Sequence, residues 1–247
     1  MTDQRRVALV SDAAGYVGPH LARELARRGH DLVVGDPAEG LVDELEAIGA
    51  RVAVVEGAID LRDPAVSLRL VEAAIEAFGR IDSAAAFTGR IVVGRFLHST
   101  IDDLRRTLVG CIEEPYNFLQ AVVPPMLEQR DGQILVFTSA TGARPTPGAP
   151  LYSSARAGAN MLVSNVAAEV VASNVQVNAV GTNFIDFPGF LKASRADDPE
   201  GRARVEAQVP QGRLGDLAEV ASFASVFLDG TSRFTTGQFV PYAGGWA

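Results

Sequence analysis

Short apolar runs alternate with stretches of helical period along the whole chain. Arg5 to Ser11, Asp31 to Asp36, Arg51 to Gly57, Asp82 to Phe87, Gln133 to Thr138, Val175 to Val180 and Gln238 to Tyr242 are short and apolar. Each predicts a strand, although the alanine-rich fourth run is a weaker β-former. Between them, Gly18 to Arg28 sets Leu21, Leu25, Ala22 and Ala26 on one face and ends at Gly29, which predicts a helix. Further helices are predicted over Gly40 to Ile48, Pro64 to Phe78, Ile101 to Leu108, Glu114 to Gln129, Tyr152 to about Ser173 and Asp216 to Leu228. Those over Ile101 to Leu108 and Glu114 to Gln129 could run together with a break near Pro115. Gly181 to about Gly201 has no period and is rich in Gly, Pro and Asp, which predicts an irregular cover over a crevice. Strand and helix in strict alternation predict one α/β domain over residues 1–247. Its sheet should be parallel and doubly wound, with about seven strands and helices on both faces.

Composition narrows the function classes. The 247 residues are 47% hydrophobic and 21% charged, enough for a sizeable core in a single domain. Net charge is −8 with no basic cluster, which argues against a nucleic-acid partner. The one cysteine, Cys111, cannot form an internal disulfide and suits a reducing cytoplasm. The apolar run after Met-Thr-Asp-Gln-Arg-Arg is too short for a signal peptide, and no stretch reaches membrane-span length. A cytoplasmic protein with no membrane partner is the expectation.

The candidate chemistry lies between Ser139 and Arg156. Ser139 follows the strand that ends at Thr138, and ligands in open parallel sheets sit outside the carboxyl ends of the strands. Tyr152 and Arg156 are four apart on the following helix, so both can face that crevice. A guanidinium close to a phenol favours its ionised form. A serine hydroxyl, a tyrosine and a fixed cation together make an acid–base device without histidine or metal.

The spacing Ser139-x12-Tyr152-x3-Arg156 resembles the catalytic set of the short-chain dehydrogenase/reductase superfamily, whose usual form is Tyr-x3-Lys. Arginine at the last position resembles a cofactor-free offshoot of that superfamily, the halohydrin dehalogenases. The turn after the first strand agrees with that resemblance. It reads Ser11-Asp12-Ala13-Ala14-Gly15-Tyr16-Val17-Gly18, where dehydrogenase relatives carry Thr-Gly-x3-Gly-x-Gly and the dehalogenases Thr-x4-(Phe or Tyr)-x-Gly. Asp12 would set a carboxylate, and Tyr16 a ring, where a pyrophosphate needs open backbone. Asp36 keeps the other reading open, since an acid there can hold a ribose hydroxyl. Ala86-Phe87-Thr88-Gly89 replaces the superfamily's Asn-Asn-Ala-Gly, and Cys111 stands where its relay asparagine falls.

The resemblance implies a Rossmann-like fold with no cofactor and no metal. It further implies a halide or nucleophile pocket at Tyr16, Asn183, Phe184 and Ile185, and a homotetramer. The segment from Asn183 to Asp197 resembles the G-type dehalogenases, which act on bulky and cyclic epoxides. Phe87, Thr88, Phe187 and Phe190 either line the organic half of the pocket or pack the cover down. The implied reaction is a carbon–halogen lyase that closes a vicinal halohydrin to an epoxide with release of halide. Its reverse opens epoxides with azide, cyanide, nitrite or halide. The alternative is an NAD(P)-dependent short-chain reductase with a degenerate cofactor motif.

Overall fold

The computed structural model describes residues 5–247, so the reading of the first residues as no signal peptide falls partly outside the described residues. Seven strands form one parallel sheet in the order β3-β2-β1-β4-β5-β6-β7. They are β1 (Arg6–Val10), β2 (His30–Gly35), β3 (Val52–Val55), β4 (Ser83–Phe87), β5 (Gly132–Ser139), β6 (Val175–Thr182) and β7 (Phe239–Tyr242). The predicted doubly wound α/β architecture is therefore the one observed. Strand order reverses between β1 and β4, and the crevice at that switch point is where such sheets hold ligands.

Helices cover both faces. On one side α1 (Gly18–Arg27) and α9 (Leu217–Ser225) bury Leu21, Leu25, Val220 and Ala224 against Ala8, Val10, Leu135 and Val180. On the other, α3 (Pro64–Phe78), α5 (Glu114–Gln129) and α6 (Pro150–Val170) bury Leu70, Phe118, Val122 and Val163 against Leu9, Ile134 and Val177. Side chains alternate across each strand, so one run of Val, Ile and Leu serves both cores. The alanines of β4 are all buried, which explains how a weak β-former holds a central strand. No helix among the described residues is long and apolar enough to cross a membrane.

Two expectations change. The stretch after β6 is not irregular: it contains α7 (Pro188–Ser194) and α8 (Pro199–Glu206), each with proline in its first turn. Asp198 caps the second by accepting from the Gly201 amide at 2.8 Å. Helices α4 (Ile101–Leu108) and α5 do run together as expected, but the break near Pro115 is a π-helical turn over Val109–Glu113. Proline has no N–H to give, so Pro115 cannot bond back to Cys111. The Glu114 amide reaches to Val109 instead, and the wide turn results.

Candidate active site

Every residue named above for the catalytic set, the halide pocket and the organic half of the pocket lines one cavity of about 710 Å³ at the carboxyl edge of the sheet. Its polar end is built by β5 and α6. Arg156 is 3% exposed, and its Nε donates to the Tyr152 hydroxyl at 3.0 Å. Its other nitrogens donate to the Thr88 hydroxyl at 3.2 Å and to the Thr88 carbonyl oxygen. The guanidinium also lies 5.2 Å from the centroid of the Tyr152 ring. Gly89 is what admits it: a Cβ there would stand 1.7 Å from Arg156 Nη2, and the residue's φ of +113° suits glycine alone.

Ser139 is buried at the end of β5. Its hydroxyl accepts from Thr141 Oγ1 at 3.0 Å and reaches the Thr182 carbonyl only at 3.4 Å. That long contact is easily exchanged for a substrate oxygen. No hydrogen bond joins Ser139 to Tyr152; they meet only as walls of the same cavity.

The opposite wall is aromatic. Tyr16, at φ +52°, hydrogen-bonds Thr182 Oγ1 at 2.6 Å and packs on Phe187 with centroids 4.7 Å apart. Burial pushes the Tyr16 hydroxyl up to about 12, with the Thr182 bond pulling the other way, so it stays a neutral phenol. Phe87 stacks on Phe137 at 4.4 Å, and Phe187 neighbours Phe190 at 6.4 Å. Phe184 is buried between Phe190 and Trp246, in the small core beneath α7 and α8. Its amide donates to Asn183 Oδ1 at 2.9 Å, and the Asn183 amide donates to the Tyr242 carbonyl at 3.2 Å. Ile185 bridges to Gly215. Trp246 thus closes onto its own chain, where Arg144 donates to its carbonyl oxygen at 2.6 Å.

Sequence reasoning passed over Glu114. Thr107, Cys111, Glu114, Phe118 and Val122 form one buried stripe at spacings of three and four, so a carboxylate on that stripe was a readable anomaly. Cys111 itself is buried, and burial pushes its thiol up, away from nucleophile chemistry. Among the described residues no group of three or more His, Cys, Asp or Glu is arranged to hold a metal ion.

Comparison with known proteins decides the family. Residues 13–247 match the family described as enoyl-(acyl carrier protein) reductase. Oxidoreductase UcpA of Salmonella typhimurium is 31% identical over 240 residues, 94% of this chain and 90% of that protein. The chain belongs to the short-chain dehydrogenase/reductase superfamily. LinX of Sphingobium indicum, a 2,5-dichloro-2,5-cyclohexadiene-1,4-diol dehydrogenase, is 26% identical over 98% of this chain and 96% of that one. Acetoin dehydrogenase from Enterobacter cloacae superposes with a TM-score of 0.85 at 28% identity, covering 99% of this chain and 96% of that one. ElxO with bound NADP superposes at 0.87 with 17% identity and 98% coverage of both chains, which speaks to the fold alone.

These matches overturn the expectation of a cofactor-independent carbon–halogen lyase. The resemblance to halohydrin dehalogenases is carried by Tyr16 in the first turn, by Arg156 and by the segment from Asn183 to Asp197. Similarity over nearly the whole chain leads instead to dehydrogenases and reductases. The halohydrin, epoxide and halide chemistry inferred from those motifs is withdrawn with it.

In this superfamily a nicotinamide dinucleotide lays its pyrophosphate on the turn after β1. The side chains of this turn crowd that seat, so a dinucleotide would be held more weakly here than on bare glycine backbone. Asp12 lines the cavity while its Oδ1 accepts from the Ala14 amide at 2.9 Å, and burial raises its pKa, with Asp36 pushing the same way. The Tyr16 ring crosses from the turn to Thr182, Phe87 and Phe187. Both Asp36 oxygens are engaged by the amides of Gly57, Ala58 and Ile59, at 2.7 to 2.8 Å. Gly18 has a reason to be glycine without any phosphate, since a Cβ there would lie 1.9 Å from the Asp12 carbonyl oxygen.

Proposed function

We propose that this chain is an oxidoreductase of the short-chain class acting on the hydroxyl or carbonyl carbon of a small, largely apolar alcohol or ketone. The observation that supports it most is the buried Arg156–Tyr152 pair, opening on a cavity walled by Phe87, Phe137, Phe187 and Phe190. A substrate with one oxygen would turn that oxygen to Tyr152 and Ser139 and its hydrocarbon to the phenylalanines. In reduction Tyr152 donates its proton to the oxygen, Ser139 hydrogen-bonds the same atom, and Arg156 steadies the phenolate left behind. In oxidation the same three act in reverse, and Tyr152 takes the proton of the hydroxyl. UcpA, LinX and acetoin dehydrogenase, by their names oxidoreductases or dehydrogenases, support the class. LinX and acetoin dehydrogenase are named for substrates that carry hydroxyl groups, which favours alcohols over acyl thioesters. A reducing cytoplasm suits a chain whose one cysteine is a buried thiol.

The reading requires a carrier of two electrons, and nicotinamide dinucleotides, named with ElxO and with 7α-hydroxysteroid dehydrogenase, are the class to try. The test is a panel of linear and cyclic secondary alcohols and ketones, assayed in turn with NAD⁺, NADP⁺, NADH and NADPH. Turnover is expected with at least one pair, and Tyr152→Phe should reduce it by roughly 10²- to 10⁴-fold. No turnover with any dinucleotide, or a Tyr152→Phe variant as fast as the parent, would overturn the reading.

A further inference from the structure

Glu114 is buried where the π-helical turn enters α5, and the acid–base chemistry above makes no use of it. An acid at a helix start ordinarily faces the amides of its own first turn. This one reaches across to another segment: Glu114 Oε2 accepts from the Gly89 amide at 2.9 Å, while Arg90 Nε lies 3.7 Å from Oε1. The loop it grips is the one that clamps Arg156, through the carbonyl and the hydroxyl of Thr88. The π turn holds that loop from below as well. Gly110 leaves room for Arg90, whose amide a Cβ there would approach to 2.5 Å.

Charge points the same way. Arg156 is a buried guanidinium with no carboxylate within 4.0 Å among the described residues. A buried cation with no carboxylate in contact depends on its hydrogen-bond acceptors, here the Thr88 oxygens and the Tyr152 hydroxyl. Glu114 acts on Arg156 only at longer range, across Gly89. Burial raises its pKa, while the Gly89 amide, Arg90 and Arg156 act against that rise and Asp60 adds to it. Cys111 and Glu113 are the titratable residues of the π turn beside it, and Cys111 too feels Glu114.

We propose that Glu114 is a positioning residue for the acid–base pair: its carboxylate fixes Gly89, and through Gly89 the Thr88 oxygens that aim Arg156 at Tyr152. The proposal rests on the reading of Tyr152 as the group that moves the proton. The chain of contacts is Glu114 to Gly89, Thr88 to Arg156, and Arg156 to Tyr152. A shift of the Gly89 loop by a fraction of an ångström would turn the Arg156 Nε–H away from the phenol, and such misplacement costs rate more than binding.

Three substitutions separate contact from charge. Glu114→Gln keeps an acceptor at full reach, Glu114→Asp keeps the charge on a side chain too short for Gly89, and Glu114→Leu removes both. The first readout needs no substrate: the Arg156 Nε–H resonance in ¹⁵N-arginine spectra, assigned by its loss in Arg156→Lys. It should be protected from exchange in the parent and in Glu114→Gln, and exchange at least tenfold faster in Glu114→Asp and Glu114→Leu. The second readout is steady-state turnover, with kcat down at least tenfold in Asp and Leu, KM within threefold, and most of kcat restored in Gln. Parent-like behaviour in Glu114→Asp overturns the proposal, as does a Glu114→Gln variant as impaired as Glu114→Leu. Should the leucine variant not fold, the Asp and Gln pair still decides. A Tyr152→Phe variant with parental turnover would sink the functional reading yet leave the arginine resonance result standing, so the two failures are distinct.

Discussion

The two ends of the cavity contrast sharply. Around Tyr152, Arg156 and Thr88 the polar groups interlock, with bonds of 3.0 and 3.2 Å fixing a buried cation against a phenol. Around the first turn, just beyond Val10, glycines of the dehydrogenase pattern have given way to Asp12 and Tyr16, and the ring leans on Phe187. On the function proposed above, the first end moves a proton. The second is filled with side chains where relatives of this superfamily leave backbone bare for a phosphate. One scaffold can therefore hold its acid–base chemistry steady while the seat for the partner molecule changes, because the two are built from different elements: β5 and α6 for one, the β1–α1 turn for the other.

The comparison breaks most visibly at Gly89. Gly89→Ala would drive a Cβ into the Arg156 guanidinium and force alanine to a φ of +113°. Turnover should fall by roughly 10²-fold or more, as expected when a positioned group moves by about an ångström. Denaturant unfolding should show a stability loss of about 1–3 kcal/mol. A Gly89→Ala enzyme with the parent's kcat would mean that this end is not held rigid.

A smaller effect is expected at the first turn, and in the opposite direction. Replacing Asp12 and Tyr16 together by glycine removes a carboxyl and a ring from the turn, and Tyr16 already has the positive φ that glycine accepts readily. Dinucleotide affinity, followed by NADPH fluorescence, should tighten at least about tenfold, or ~1.4 kcal/mol. Parental affinity equal to that of the double variant would show that the two side chains do not obstruct the seat, and the contrast between the ends would disappear.

Much of this was legible in the sequence where short-range patterns govern structure. Pro64–Phe78 was read to the residue, because Asp63 caps it, Pro64 opens it and Gly79 closes it. The Ser139, Tyr152 and Arg156 set was placed by spacing alone, and all three reach one cavity. The helices within residues 181–201 are hidden in the sequence because glycine and proline read as breakers, whereas Pro188 and Pro199 open short helices. Glu114 escaped notice because its partner, the Gly89 amide, is twenty-five residues away and belongs to a loop with no pattern of its own. The reaction was misassigned for a different reason. Tyr16, Arg156 and the segment from Asn183 to Asp197 are local features, and they weigh less than similarity spread over 240 residues.

The finest test of the contrast lies in two half-hidden carboxyls, one at each end, both raised by burial. Glu114 has Arg90 and Arg156 to offset that burial, whereas Asp12 has Asp36 to aggravate it and only the amides of Ala14 and Gly15 in its favour. A raised acid binds its proton more readily folded than unfolded. Each therefore costs stability above its folded pKa, and the cost is relieved as pH falls through that value towards the ordinary one. Glu114→Gln and Asp12→Asn should both be more stable than the parent at pH 8, by denaturant midpoint at unchanged slope. Both advantages should shrink as the pH approaches the ordinary carboxylate range. Repeating the pH 8 measurement on Arg156→Leu separates the ends: with its cation gone, the gain from Glu114→Gln should grow, while the gain from Asp12→Asn should not move. Equal responses at the two sites would mean that Arg156 does not act on Glu114, and that the two ends of the cavity are electrostatically alike.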